Sequence, residues 1–445
     1  MRSPASRRPS AVPPAGPPSR LPAGPPGASN RSEYLWDVLR TLWPEPARID
    51  RGGRRTPARP GRTEFIVVPG EARAALLLPR RPRRAAAGAL RHYKASASPR
   101  RRLLFGGLAL AARIGLAEVL PERIIIEVGQ RSADSDIAGY LAAVLHQDTV
   151  VSLRIGPPRA NRKPVLELLT TDGRLLGYAK VGVTGLTRDL VRAEAAALAR
   201  LGTTPLARLA VPPLLHHGQW RGHEVLVQGG LSGSGPARSW AGLSGAMAEL
   251  ARVRGIARLP VAQSPYWQRL RPRLAGCPQR DLAGSVSEAL GWLEPAAAAT
   301  SLDFGSWHGD WTPWNMTMSR GRVMIWDWER FQTGVPVGYD AIHYRLQEAA
   351  SGGGVAPGDA AEATVAAAAE ALAPFGIEAG VAPLVATLYL AENAIRYLHD
   401  GQAEAGARLG DVSSWLLPVL LRHARELSGA RRPGGPGDED RVIPA

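Results

Sequence analysis

Lysine is nearly absent from this chain of 445 residues. Of its 55 basic residues only Lys94, Lys163 and Lys180 are lysines. The bias toward arginine, alanine, glycine and proline resembles a GC-rich coding bias, which weakens a functional reading of any one arginine. A lysine kept in an apolar strand, Lys180 in "LLGYAKVG", points to a special need there. Cysteine is scarcer still. Cys277 stands alone, so no internal disulfide can form, and a reducing, cytoplasmic setting is expected. No run of about 18 apolar residues occurs, which excludes a membrane-spanning helix. The opening "MRSPASRRPSAVPPAGPPSRLPAGPPG" has arginines with no apolar stretch after them, and so does not read as a secretory signal. Acidic residues are few in the first quarter. Residues 1–120 hold 23 basic and 7 acidic side chains, which is the whole net charge of +16. The remainder is balanced, leaves no footprint for a polyanion, and predicts no nucleic-acid partner for that part.

The hydrophobic fraction of 45% is ordinary for a globular protein, and the length suffices for two or three domains. Residues 33–44 have helical apolar spacing. "TEFIVVPG" and "RAALLLPR" read as strands around a turn. "PRRRLLFGGLALAARIGLAEVL" reads as a helix, expected to be buried in a small accessory region, with a membrane-surface helix as the alternative. "SDIAGYLAAVL" is a helix with Ser135 or Asp136 as N-cap. Three strand-like runs follow, "TVVSLRIG", "PVLELLTTDG" and "LLGYAKVG". Then come a helix ending at Gly202 and a hairpin turning at Gln219–Gly222. After residue 230 the pattern is mostly helical.

One decapeptide interrupts it: "WHGDWTPWNM", Trp307 to Met316. Tryptophan and proline make a stiff, non-helical loop around His308, Asp310 and Asn315. Twelve residues on, the strand "RVMIWD" ends in Asp327. Phosphoryl transfer needs a carboxylate to orient an acceptor hydroxyl and take its proton. It also needs oxygen ligands to hold Mg²⁺ on nucleotide phosphates. Asp310 suits the first task, Asn315 and Asp327 the second. A cation for the phosphates should lie upstream on a strand, steadied by a helical carboxylate; Lys180 and Glu194 stand in that order on those element types.

These segments resemble the aminoglycoside phosphotransferase and choline kinase superfamily, a branch of the protein-kinase-like fold, from about Val150 to about Asp340. "HGDWTPWN" is similar to the family's catalytic loop, and "IWDWERFQTGVPVGYD" to its metal-binding strand and the residues after it. The resemblance implies Asp310 as catalytic base, Asn315 and Asp327 as Mg²⁺ ligands, and Lys180 on the nucleotide phosphates with Glu194 as its partner. It places the nucleotide-base hinge near Gln228–Gly230, with Gln228 and Gly230 as contacts. It implies a two-lobed α+β fold, a small antiparallel sheet lobe plus a mainly helical lobe, with an N-terminal accessory region. The boundaries expected are a disordered Pro/Arg-rich tail at 1–30, a basic accessory region at 31–134, a nucleotide-binding lobe at 135–230, a helical lobe at 231–430 with catalytic loop and acceptor pocket, and a disordered tail at 431–445. The implied activity is Mg²⁺-dependent transfer from ATP or GTP to a hydroxyl of a small molecule. The alternative is a non-catalytic nucleotide-binding module whose basic N-terminal region binds a polyanion or a membrane surface.

The chain departs from kinase patterns in two places. "RIGPPRANRKPV" has no G-x-G-x-x-G, so backbone N–H groups near Ala160–Arg162, with Lys163 or Arg159, are the stand-ins for phosphate contact. Asp327 is followed by Trp-Glu, not Phe-Gly, which points away from protein kinases. His308 is expected to hold the loop, Asp340 to cap or hold it, and Glu329 to pair structurally with an arginine, with a place in the metal shell as the alternative. His216–His217 read as strand residues, with no partner at metal spacing. In "YLAENAIRYLHDG" an internal Glu392–Arg396 pair at i,i+4 is expected.

Overall fold

The computed structural model describes residues 29–52, 61–93, 99–116, 122–129, 135–231, 233, 239–351, 354–407 and 409–429. Apart from Ser29 and Asn30, which open the first helix, the two expected tails lie outside these residues. Among the described residues nine strands form one antiparallel sheet. They are β1 (Arg48–Gly52), β2 (Arg62–Val68), β3 (Leu76–Pro79), β4 (Arg123–Glu127), β5 (Val150–Arg154), β6 (Val165–Leu169) and β7 (Leu175–Gly182), followed, after the two-residue β8 (Leu209–Ala210), by β9 (Leu214–Trp220) and β10 (His223–Gly229). Their order is β1-β4-β2-β3-β5-β6-β7-β10-β9. The pairing of β3 with β5, Leu76 opposite Arg154 and Leu77 opposite Leu153, joins residues 48–127 to 150–229 in one sheet. One core follows from this: Leu35, Trp43, Phe65 and Ile124 pack with Ile137, Val151, Leu166, Val181 and Val227.

Helices α1 (Ser29–Leu42), α2 (Arg83–Tyr93), α3 (Pro99–Ile114), α4 (Ile137–Leu145) and α5 (Gly185–Gly202) accompany the sheet. Asp136 caps α4, its Oδ1 accepting from Gly139 N–H at 2.9 Å. A Thr184–Thr187 capping box starts α5. The helix expected at "PRRRLLFGGLALAARIGLAEVL" is present as α3, with residues 117–120 of that run outside the described residues, but its burial is a correction. Its alanines Ala109 and Ala112 pack on α2, while its leucines point outward. The helix is apolar on more than one face, and only the small-residue face fits against its neighbour.

The second lobe is mainly helical: α6 (Trp240–Arg252), α7 (Pro265–Ala275), α8 (Arg280–Ala299), α9 (Tyr339–Ser351), α10 (Pro357–Ala366), α11 (Ala368–Leu372), α12 (Ala382–Asp400) and α13 (Leu416–Leu427). Short strands β11 (Ala257–Pro260), β12 (Ser301–Trp307), β13 (Met316–Ser319), β14 (Arg322–Ile325) and β15 (Gln332–Pro336) sit at its edge. β12 leads into the decapeptide loop, and the β13–β14 hairpin leads out to Asp327. β14 also pairs in parallel with β8, which ties the loop-bearing hairpin to the segment after α5. The architecture is α+β and two-lobed.

Candidate active site

Strand periodicity aims the lysine. Side chains alternate across a sheet: Ala179 and Val181 of β7 enter the sheet core with Val225 and Val227 of β10. Lys180 and its register partner Leu226 point the other way, toward α5. On α5 the buried positions Thr187, Val191, Glu194, Leu198 and Leu201 make one helical stripe. Glu194 therefore sits fully buried on an apolar face, not on a solvated one. Lys180 Nζ donates to both Glu194 oxygens at 2.7 Å and to Asp327 Oδ1 at 2.7 Å. Glu194 Oε1 also accepts from Trp328 N–H at 3.2 Å. Burial pushes the Glu194 carboxyl upward against the pull of Lys180. Burial also raises Asp327, but Lys180 and Lys163 overcome it and hold that carboxyl well below the ordinary range. Asp327 has φ 74° and ψ 55°, a left-handed conformation rare outside glycine and concentrated at functional sites.

The catalytic-loop candidate is held by a buried carboxylate. Asp340, at the start of α9, accepts from His308 N–H at 2.7 Å and Gly309 N–H at 3.1 Å. Burial raises its carboxyl to about 7. Gly309 has φ 82°, and a Cβ there would lie 2.5 Å from Arg330 O, so only glycine fits. His308 Nδ1 accepts from Asp310 N–H at 3.1 Å, and its Nε2 pairs with Trp326 O at 3.2 Å. Burial lowers it to about 4. That is a neutral, structural histidine, as expected. Trp307 and Trp311 are buried on either side of His308. Trp314, expected as part of the same frame, is instead 40% exposed and lines the cleft.

Asp310 is fixed from three directions. Its Oδ1 meets His343 Nε2 at 3.2 Å, its Oδ2 accepts from Asn315 Nδ2 at 2.9 Å, and its carbonyl accepts from the same amide at 3.0 Å. His343 Nδ1 meets Tyr389 Oη at 2.7 Å. Burial raises the Asp310 carboxyl, yet the His343 hydrogen bond and the Arg396 charge leave it below its ordinary range. His343 is lowered by burial and is neutral. Asn315 O accepts from Trp326 N–H at 3.0 Å, which ties the loop to the residues between β14 and Asp327.

Of the residues singled out in the sequence, Lys180, Glu194 and Asp327 form one cluster, and Asp310 and Asn315 form another beside it. Gln228 is buried on β10 and its Oε1 has no hydrogen-bond partner among the described residues. Next to it Gly229 N–H donates to Pro213 O at 2.8 Å, and at Gly230 a Cβ would lie 2.4 Å from Leu175 Cδ2. The segment proposed for phosphate contact is committed elsewhere. Ala160 N–H donates to Gln402 Oε1 at 3.3 Å, Asn161 Nδ2 to Glu329 Oε1 at 2.8 Å, and Lys163 pairs with Glu329. Arg162 stacks 3.3 Å above the ring of Tyr34 on α1. The expected Glu392–Arg396 pair does not form. Glu392 bridges to Arg273 at 2.7 Å, while Arg396 donates to Gly309 O and to Asn393 Oδ1. Arg396 and His343 were missed as loop-positioning residues. The only signal was that His343 lies three residues after Asp340, on the same face of α9.

Glu194, Asp327 and Glu329 have oxygens within 4.8 Å of one another, an all-oxygen donor set of the kind Mg²⁺ favours. Glu194 and Glu329 are committed to the bonds above. Asp327 also accepts from Lys180 through Oδ1, but its side chain is 29% exposed, which makes it the acid of the three most open to a cation. Below it a cleft of about 360 Å³ is lined by Arg159, Asp310, Trp314, Arg396, Tyr397 and Asp400, among others.

No protein-family model matches the chain, and no curated protein matches it. Solved structures of similar shape include a fructosamine-3-kinase, described as putative, from Haemophilus somnus 129PT, at 14% identity and TM-score 0.42, covering 65% of this chain and 96% of that one. Another is a thermostable mutant of aminoglycoside phosphotransferase APH(4)-Ia in complex with ADP and hygromycin B, at 14% identity and TM-score 0.43, covering 66% of this chain and 99% of that one. A third is the amicoumacin kinase hAmiN with AMP-PNP and Ca²⁺, at 11% identity and TM-score 0.39, covering 62% and 88%.

Proposed function

We propose that the chain is a Mg²⁺-dependent phosphotransferase that moves the γ-phosphoryl group of ATP or GTP to a hydroxyl of a small molecule. The observation that carries this reading is Asp310: an ionised carboxylate, fixed by neutral His343 and by Asn315, that opens on a cleft beside the Lys180–Glu194–Asp327 cluster. His343 and Asn315 each donate to one of its oxygens, which leaves lone pairs to accept the O–H of an acceptor. The carboxylate orients that hydroxyl and takes its proton as the bond to phosphorus forms. Lys180 would turn the N–H now given to Asp327 to a phosphate oxygen when nucleotide binds, while Glu194 keeps the ammonium in place. Asn315 and Asp327 are the residues that would hold Mg²⁺, which when bound neutralises charge on the nucleotide phosphates. Gln228 and Gly230 would be the contacts to the nucleotide base.

The cleft also narrows the acceptor. Glu329 is paired with Lys163, and Asp400 with Arg330. Arg396 and Arg159 also line the cleft and make no ion pair with a carboxylate among the described residues. A polycation would find only Asp310 to meet it, so the acceptor proposed is an uncharged or anionic hydroxyl compound that stacks on Trp314. The test is transfer of labelled γ-phosphate across neutral polyols, hydroxy acids, amino-alcohols and aminoglycosides. Preferred turnover of a polycation refutes the acceptor class. Nucleotide binding with no transfer to any acceptor supports the non-catalytic alternative.

A further inference from the structure

The outer face of α3 has no role in the cleft and is built for a different surface. Leu103, Leu104, Leu108, Leu110 and Ile114 are 80, 60, 42, 62 and 60% exposed. On a helical projection they fill one broad sector, and Ala109 and Ala112, buried against α2, fill the opposite one. Among the described residues none packs on that outer sector. Five large aliphatic side chains displayed together are uncommon on a soluble monomer and mark an interaction site. The charge around them has one sign. From Ala72 to Ala117 the chain carries eleven basic residues and no acidic one. Arg91 stands in the last turn of α2 and Arg113 in that of α3.

We propose that α3 is a peripheral docking helix for anionic lipid bilayers, lying in the interface with its leucine face among the acyl chains and the arginines of the α2–α3 unit at the headgroups. Charge complementarity selects an anionic partner, and the leucines select lipid over nucleic acid. A phosphodiester backbone rewards arginine but gives nothing to an exposed aliphatic side chain, whereas a bilayer rewards both. No helix among the described residues is long and apolar enough to cross a membrane, so α3 lies on the surface. The inference is independent of the acceptor and of the phosphotransfer reading.

The test is flotation of the full chain with vesicles of phosphatidylcholine alone, and with vesicles of three parts phosphatidylcholine to one part phosphatidylglycerol. The expected result is binding to the anionic vesicles only. In the triple variant L103S/L104S/L110S that binding should fall about tenfold or more, since burial of each leucine contributes. These positions are exposed, so the urea midpoint should not move. A second variant, R113Q, should weaken binding at low salt and converge with wild type at high salt. The proposal is overturned if anionic vesicles are not bound, or if the triple variant partitions like wild type. Capture of duplex DNA unaffected by the serine substitutions, without vesicle binding, also overturns it, as does a self-association abolished by them.

Discussion

Replacing Lys180 by methionine tests the centre of the site. The ammonium is buried and lies 2.7 Å from oxygens of both Glu194 and Asp327. Methionine nearly fills the same volume, so the change removes charge more than packing. Breaking a buried ion pair from one side costs about 3–5 kcal/mol, because the partner charge is left uncompensated. Here two carboxylates are left, and Glu194 is fully buried. It escapes the cost by taking a proton. Its carboxyl is already pushed upward by burial, and loss of Lys180 must push it further. A carboxyl raised in the folded state contributes stability that is present below its unfolded pKa and lost as pH rises through the folded one. The deficit of Lys180→Met relative to wild type should therefore be largest at mildly alkaline pH. On acidification it should shrink, by up to about 1.4 kcal/mol per pH unit if one proton is involved. Urea unfolding followed by tryptophan fluorescence, repeated across pH, reads this directly. The double variant Lys180→Met/Glu194→Gln should recover part of the loss, because coupled neighbours are not additive. A deficit that stays flat with pH, or one below about 1 kcal/mol, would refute the assignment of Lys180 and Glu194 as a buried charge pair.

Four further outcomes are expected. Asp310→Asn should lower transfer by about 10² or more while nucleotide binding measured by calorimetry stays nearly intact, because the base is lost but the loop geometry is kept. Nucleotide affinity should be higher with Mg²⁺ than with a chelator in wild type, and Asp327→Ala should erase that difference; equal affinities in wild type count against the metal site. Asp340→Asn should cost about 1–3 kcal/mol, because it replaces one of two acceptors for the His308 and Gly309 amides with a donor. Since burial raises Asp340 to about 7, its contribution is present at low pH and lost as pH climbs from about 4 to about 7, a slope that the asparagine variant should lack in unfolding experiments. Deleting residues 1–28 should leave the thermal midpoint within error of wild type, because that Pro-rich segment has little apolar area to bury.

The candidate loop is legible in the sequence because the proposed chemistry calls for particular residue types at short spacing. Asp310 and Asn315 are five residues apart, and Asp327 ends the next hairpin, so chain proximity alone brings them near. Lys180 was readable for a compositional reason: in an arginine-rich chain, Lys163 and Lys180 both sit in the site and both pair with carboxylates. Helical and strand periods place most elements; of the two N-cap candidates, Ser135 and Asp136, it is Asp136 that caps α4, and Gly202 ends α5. What failed depended on partners distant in sequence. Arg396 sits one turn after Glu392, and local spacing favours a pair. Tertiary packing instead gives Glu392 to Arg273 and turns Arg396 to the carbonyl of Gly309, 87 residues away. The backbone at Ala160–Arg162, with Lys163 or Arg159, reads as a phosphate cradle in the sequence, but Gln402 and Glu329 engage Ala160, Asn161 and Lys163 in the structure.

The N-terminal region shows the same limit and what it hides. Its strands read as a separate accessory unit because their partners cannot be found by pattern, yet β3 pairs with β5 and α1 contributes Tyr34 to the face of Arg162. That stacking reaches the segment that also carries Lys163, and so links the basic region to Glu329 and the turn that follows Asp327. An arginine over an aromatic ring is worth about 0.5–2 kcal/mol, enough to bias how firmly the segment lies over the cleft without fixing it there. The basic N-terminal quarter, in its described residues, is therefore structurally continuous with the lobe that carries Lys180. Its exposed leucines face away from the shared core, and its buried residues reach into that core.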